Sequence, residues 1–202
     1  TTRLVGSEMC IRDSCNTDTK ECVLIDPADN AGKISEMIEQ SGCTLKGILL
    51  THGHFDHIMG IEDFLKAFDV PVYVGREEQP LLADDRLNAS SMYGYHCAYT
   101  GAKALEDGQT VECAGTEIHV IHTPGHTAGG TCYYIESDKT LMSGDTLFAG
   151  SVGRTDYPTA SSAAMMESLH DKLCKLPDDT DVYPGHGEFT TIGYEKQNNP
   201  FM

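Results

Sequence analysis

The segment Thr51-His52-Gly53-His54-Phe55-Asp56-His57 follows directly on the apolar run Gly-Ile-Leu-Leu at positions 47–50. That run is short and apolar enough to be a buried strand. A strand that ends in three histidines and an aspartate must bring them to a sheet edge and find them a partner there. Leaving such groups buried and unpaired costs roughly 1–3 kcal/mol each. While the backbone stays extended, side chains two apart share a side, so His52 and His54 converge on one point. Beyond them the pattern turns helical, which lets Asp56 and His57 diverge toward a neighbouring point. A metal ion is the natural compensation, and one such segment can seed two sites.

Elsewhere the chain alternates short apolar runs with helical ones. Glu21–Ile25 reads as a strand closed by Asp26-Pro27, and residues 31–40 as a helix carrying Ile34, Met37 and Ile38 on one face. Helical spacing is expected over 58–68, a strand over 70–74 and a short helix over 77–83. Further strands are expected at 110–113, 117–121, 131–135, 140–142 and 181–183, with a helix near 160–176. Strands interleaved with helices predict an α/β fold of sheets covered by helices. Residues 84–104 are polar and weakly periodic, and read as a long surface insertion. Its Met92, Tyr93, Tyr95, His96 and Tyr99 suit a lid, a substrate wall or a contact surface. Residues 1–16 show no clean alternation and place Arg12 and Asp13 where an opening strand belongs. No linker divides the 202 residues, so a single domain over 1–202 is expected.

Composition narrows the function. A formal charge of −17 opposes binding to nucleic acid or an anionic membrane, although two dications would leave one cleft locally positive. No apolar run approaches the roughly 20 residues of a membrane helix, and no leader pattern opens the chain, so a cytoplasmic protein is expected. The 8 cysteines form no CxxC pair and no scaffold rhythm, and are read as reduced thiols.

Three more ligand candidates stand beside glycine at the ends of strand-like runs: His126 in HTPGHT, Asp145 in MSGDTLF and His186 in YPGHG. Imidazole nitrogen and carboxylate oxygen suit zinc, iron or manganese. His96, His119, His122 and His170 lack this context and are read as ordinary core or surface residues.

The motifs THGHFDH, HTPGHT, SGDTLF and PGHG, in this order, resemble the metallo-β-lactamase superfamily and within it the short glyoxalase II-like (hydroxyacylglutathione hydrolase-like) branch. The resemblance spans residues 21–202. It implies a four-layer αββα sandwich of two mixed β-sheets flanked by helices, with two divalent metal ions at one edge, zinc ahead of iron or manganese. It implies His52, His54 and His126 on one ion, Asp56, His57 and His186 on the other, and Asp145 bridging. Gly153-Arg154-Thr155-Asp156 falls where glyoxalase II carries a basic glutathione ligand. Arg154 is therefore implied to bind a substrate carboxylate, with Tyr157 on the same edge. The C-terminal helical domain of glyoxalase II has no counterpart in this sequence. The cysteine of many class B β-lactamases is replaced by Asp145, which argues against antibiotic hydrolysis.

Two dications sharing a water would lower its pKa from about 15.7 toward roughly 7 and supply a hydroxide nucleophile. Asp56 is the candidate to accept or relay the proton. The expected activity is hydrolysis of a small thioester or related ester, the substrate being a glutathione or other thiol conjugate. GRTD also resembles iron-dependent persulfide dioxygenases of the same superfamily. That alternative implies a single iron held by a histidine of the cluster, His126 and Asp145.

Overall fold

The computed structural model describes residues 12–202, with side chains from Ser14 onward. In the first sheet β1 (Arg12–Asn16), β2 (Glu21–Ile25), β3 (Thr44–Leu50), β4 (Val72–Gly75) and β5 (Lys103–Leu105) lie side by side in chain order. β1 is antiparallel to β2 and the others run parallel. The connections carry α1 (Ala31–Ser41), α2 (Phe55–Ile58), α3 (Ile61–Ala67) and α4 (Gln79–Leu82). After them come β6 (Thr110–Cys113), β7 (Thr116–His122), β8 (Thr131–Ile135), β9 (Thr140–Gly144) and a small ribbon of β10 (Leu147–Phe148) with β11 (Ser151–Val152). α5 (Ser162–Glu167), β12 (Asp181–Pro184), β13 (Thr190–Thr191) and α6 (Ile192–Asn198) complete the order. The second sheet runs β13-β12-β9-β8-β7-β6 and is also mixed, β12 being parallel to β9 and its other pairs antiparallel.

Strand alternation builds three apolar layers. On β2 and β3, Leu24, Ile48 and Leu50 face Ile34, Ile38 and Phe64 of the covering helices, while Val23, Ile25 and Leu49 face the other sheet. β8 and β9 repeat this: Tyr133, Ile135 and Met142 point between the sheets, and Cys132, Tyr134 and Leu141 meet Met165 and Leu169 on the outer side. Two sheets, each with a buried face inside and a helix-covered face outside, give the αββα sandwich. A bulge in β3 sets its phase: Cys22 pairs with Leu45 but Val23 with Gly47, leaving Lys46 as the extra residue. Leu45 and Ile48 therefore reach the same layer although three residues apart.

Several elements depart from the sequence reading. Residues 12–16 do form the opening strand, paired along their full length with β2; residues 1–11 lie outside the described ones. The helical run at 58–68 is broken at Gly60, whose N–H bonds Pro27 O at 2.8 Å instead of continuing the helix. The helix near 160–176 begins at a Ser161 cap and passes through a π turn (Ser168–Lys172) and a 3-10 turn (Leu173–Lys175). The reduced-thiol reading is corrected for two residues: Cys15 and Cys43 are joined in a disulfide. Both flank β2 and pack into the same apolar layer, a proximity that a separation of 28 residues conceals. Cys97, Cys113, Cys132 and Cys174 are free thiols. Among the described residues no helix is long and apolar enough to cross a membrane.

The 84–104 insertion is folded. Asn88 Nδ2 donates to Cys97 O at 2.7 Å, and the Phe55 N–H donates to Asn88 O at 3.1 Å, which pins the insertion against α2.

Candidate metal centre

Every ligand candidate emerges at the same end of the sandwich. β2, β3, β9 and β12 all run toward it and deliver Asp26, the His52–His57 segment, Asp145 and His186, while the loop after β7 delivers His126. The two sheets are clasped here: Tyr133 Oη donates to Leu50 O at 2.7 Å, and the Thr131 N–H donates to Thr51 O at 2.8 Å. The HxH segment thus leaves a strand end fixed from both sides.

The candidates gather into two groups. His52, His54 and His126 present ring nitrogens within 4.8 Å of one another, and all three are buried. Asp56, His57 and His186 form the second such group. Asp145 lies between them: Oδ1 is 3.5 Å from His57 Nε2, and Oδ2 is 3.6 Å from His126 Nε2 and 3.7 Å from His186 Nε2. This convergence requires a backbone without a side chain at Gly185, where a Cβ would fall 2.3 Å from Asp145 Oδ1 and 2.7 Å from His57 Cε1.

The polar accounting fits a cation. His52 Nε2 and His54 Nε2 are buried with no hydrogen-bond partner, and His54 Nδ1 faces His126 Nε2 at 2.9 Å. Burial, then the neighbouring imidazoles, holds His52 well below the usual histidine range, and burial with His126 brings His54 down to about 3. His126 is lowered as well, chiefly by burial. Neutral rings keep the lone pairs a divalent ion uses. For Asp145 burial pushes upward, but His57, then His126 and His186, hold the carboxyl below its ordinary value, so it stays an anion. Asp56 is lowered too: burial again opposes, and the hydrogen bond from His186 with the charge of His57 prevails.

Orientation comes from outside the ligand set. His57 Nδ1 lies 3.0 Å from Asp26 Oδ2, and His126 Nδ1 lies 2.8 Å from Arg154 O. Asp26 also accepts from Thr51 N at 2.7 Å and Thr51 Oγ1 at 2.6 Å. A carboxylate behind a ligating imidazole fixes its tautomer and raises its basicity. Sequence reading passed over Asp26. Its signal was present, a lone acid closing the apolar strand beside the one that carries the histidines.

Outside the two groups lies a cleft of about 590 Å³, walled by Phe55, Tyr93, Phe148, Val152, Arg154 and Tyr157. Arg154 and Tyr157 therefore stand on the rim of this cleft. The Arg154 guanidinium is doubly bonded to Asp156 (Nε–Oδ1 2.6 Å, Nη2–Oδ2 2.7 Å) and lies over the Tyr157 ring. The 84–104 insertion supplies Tyr93, whose hydroxyl is 2.7 Å from that of Tyr157. The histidines set aside in sequence are elsewhere: His96 pairs with Asp85, His119 with Thr110 and Glu136, His122 with Ala128 O, and His170 is exposed.

Stacked mixed sheets with a histidine-aspartate cluster on one edge define a metal-binding sandwich. Residues 15–186 match the metallo-beta-lactamase superfamily, and the chain belongs to it. Among curated relatives it is 36% identical over 184 residues to the "Probable metallo-hydrolase YqgX" of Bacillus subtilis, covering 90% of this chain and 87% of that one. It is 32% identical over 188 residues to the "Hydroxyacylglutathione hydrolase GloC" of Haemophilus influenzae, covering 92% and 89%. Among solved structures it superposes on BLEG-1 B3 metallo-beta-lactamase with a TM-score of 0.90 and 35% identity, covering 99% and 98%. TTHA1623 in a di-iron-bound form gives a TM-score of 0.86 and 34% identity, covering all of both chains.

Proposed function

We propose that this chain is a dinuclear metal-dependent hydrolase of a small thioester, acting on a glutathione or comparable thiol conjugate. The observation that carries it is Asp145, a carboxylate only 11% exposed whose two oxygens point toward ligands of both groups. In this reading His52, His54 and His126 hold one ion, Asp56, His57 and His186 hold the other, and Asp145 serves both. Zinc, iron and manganese all suit the donors. Ions bound there supply Lewis acidity and an activated water.

The chain's own residues do the rest. Asp56 Oδ2 lies 3.3 Å from His186 Nε2 on the open side of the site, where the Asp56 carboxylate can accept a proton and pass it to solvent. The aromatic walls of the cleft exclude water from the acyl group. Arg154 offers its guanidinium to a substrate carboxylate in competition with Asp156, and Tyr157 offers its hydroxyl. Similarity to the GloC protein supports a glutathione thioester.

Similarity to BLEG-1 favours a second reading, β-lactam hydrolysis on the same residues. The test is elemental analysis of protein purified without added metal, coupled to a panel of thioester hydrolysis, β-lactam hydrolysis and oxygen uptake with a glutathione persulfide. Two metals per chain with thioester cleavage are expected. A single iron with oxygen uptake would replace this reading with a persulfide dioxygenase, and β-lactam turnover alone would replace it with the second.

A further inference from the structure

Glu78 ends the 3-10 turn after β4 and has no solvent-exposed surface. Its carboxylate is divided between two loops. Oε1 accepts from the Gly53 N–H at 2.9 Å, and Oε2 accepts from the Gly129 N–H at 2.9 Å. Gly53 is the residue between His52 and His54. Gly129 lies three residues beyond His126, in the loop that returns to β8. The second loop rests directly on the turn: a Cβ at Gly129 would fall 2.1 Å from Glu78 N and 2.5 Å from Glu78 Cα. A fully buried carboxylate is costly to keep, and the groups that favour its ionised form here are the N–H groups of Gly53 and Gly129. The sequence places Glu78 in the short helix expected over 77–83 and gives no hint of this role.

We infer that Glu78 is a positioning residue for the three-histidine group: one carboxylate ties the His52–His54 segment to the His126 loop and so sets the spacing of the imidazoles that meet on one ion. The inference rests on the proposed sharing of an ion by His52, His54 and His126. The other group is held differently. Asp26 orients His57, and His186 arrives on β12, which Glu78 does not touch. Loss of Glu78 therefore acts on one ion and spares the other. Outer partners of metal ligands govern affinity by about 10–100-fold.

The experiment is a zinc titration of the metal-free full chain against a chromogenic chelator, for wild type, Glu78→Gln and Glu78→Ala, with thermal melting of each metal-free protein alongside. Glutamine retains the size of the side chain but turns a donor toward one N–H, so one loop loses its partner; alanine releases both. Two tight zinc ions are expected in wild type. In Glu78→Gln one of them should weaken by about 10-fold or more while the other keeps its affinity. Glu78→Ala should show a larger loss at the same site, and if it does not fold Glu78→Gln decides alone. Unchanged affinities in Glu78→Gln overturn the inference, as does equal weakening of both ions in step with a lower metal-free melting temperature, which marks a merely structural role. A wild type that binds a single ion overturns the dinuclear reading instead. Glu78 is then judged on that ion: about 10-fold weakening without loss of melting temperature upholds its role, and unchanged affinity overturns it.

Discussion

The two ligand groups use the same kinds of side chain in opposite surroundings. His52, His54 and His126 are all buried and neutral, whereas in the second group only His57 is buried and the side chains of His186 and Asp56 are 48% and 37% exposed. Burial makes the first group ready for a cation, because it removes the proton that would compete. It also makes that group depend on its scaffold, since buried nitrogens without partners tolerate no misplacement. The second group is closer to water, includes a carboxylate, and opens on the cleft. The contrast suggests a division of work, a tightly held ion at the inner position and an exchangeable one where substrate and protons come and go.

The strongest way to break this contrast is to remove what the groups share. Asp145→Ala should lower kcat/KM for the thioester by about 10³-fold and reduce metal content at both positions, whereas His54→Ala should cost similar activity but remove metal from the inner position alone. Metal analysis beside the rate assay separates the two. Asp26→Asn keeps the shape and tolerates the left-handed backbone at this position (φ 52°), but it removes the charge behind His57. A loss of about 10–100-fold in affinity of the outer ion is expected by chelator competition, with the inner ion less affected.

Stability should show the contrast as well. Burial, opposed by the hydrogen bonds from the Gly53 and Gly129 N–H groups, raises the Glu78 carboxyl from 4.5 to about 7. A raised folded-state value favours the protonated form. Its contribution to stability is complete below pH 4.5 and is lost as pH rises to about 7, by at most about 3 kcal/mol. In denaturant titrations of metal-free protein the buried histidines, held low, make both proteins gain stability as pH rises across that window, and the gain should be larger for Glu78→Gln than for wild type by up to this amount. The smallest effect belongs to the rim. Tyr93→Phe removes an exposed hydroxyl contact worth about 0.5–1.5 kcal/mol at most, and a change in KM of no more than about threefold with kcat unaltered is expected.

Much of the fold was legible because strand alternation is a local signal. The runs at 21–25, 110–113 and 131–135 match observed strands, and the histidine segment lies at the end of its strand as its position after the apolar run requires. What escaped was set by tertiary contact. β1 has little alternation of its own and is specified by pairing with β2. α6 carries Gly193 within seven residues and depends on the Thr191 cap, whose side chain accepts from Tyr194 N at 3.2 Å. Asp26 and Glu78 share one lesson. Neither the acid before proline nor the acid in the expected 77–83 helix was singled out in the sequence, and only the folded chain shows them turned inward against the histidine segment.

The clasp between the sheets, Tyr133 to Leu50 and Thr131 to Thr51, has a mechanical consequence. A sandwich stitched at its working edge is expected to open last where the chemistry is, with thermal breathing starting at the far end. In hydrogen exchange the Thr131 amide should be among the slowest of β8, and Tyr133→Phe should speed it without disturbing the outer helices. The stiffest line in the molecule would then run beside its most reactive residues, and the cleft would owe its motions to the 84–104 wall rather than to the sheets.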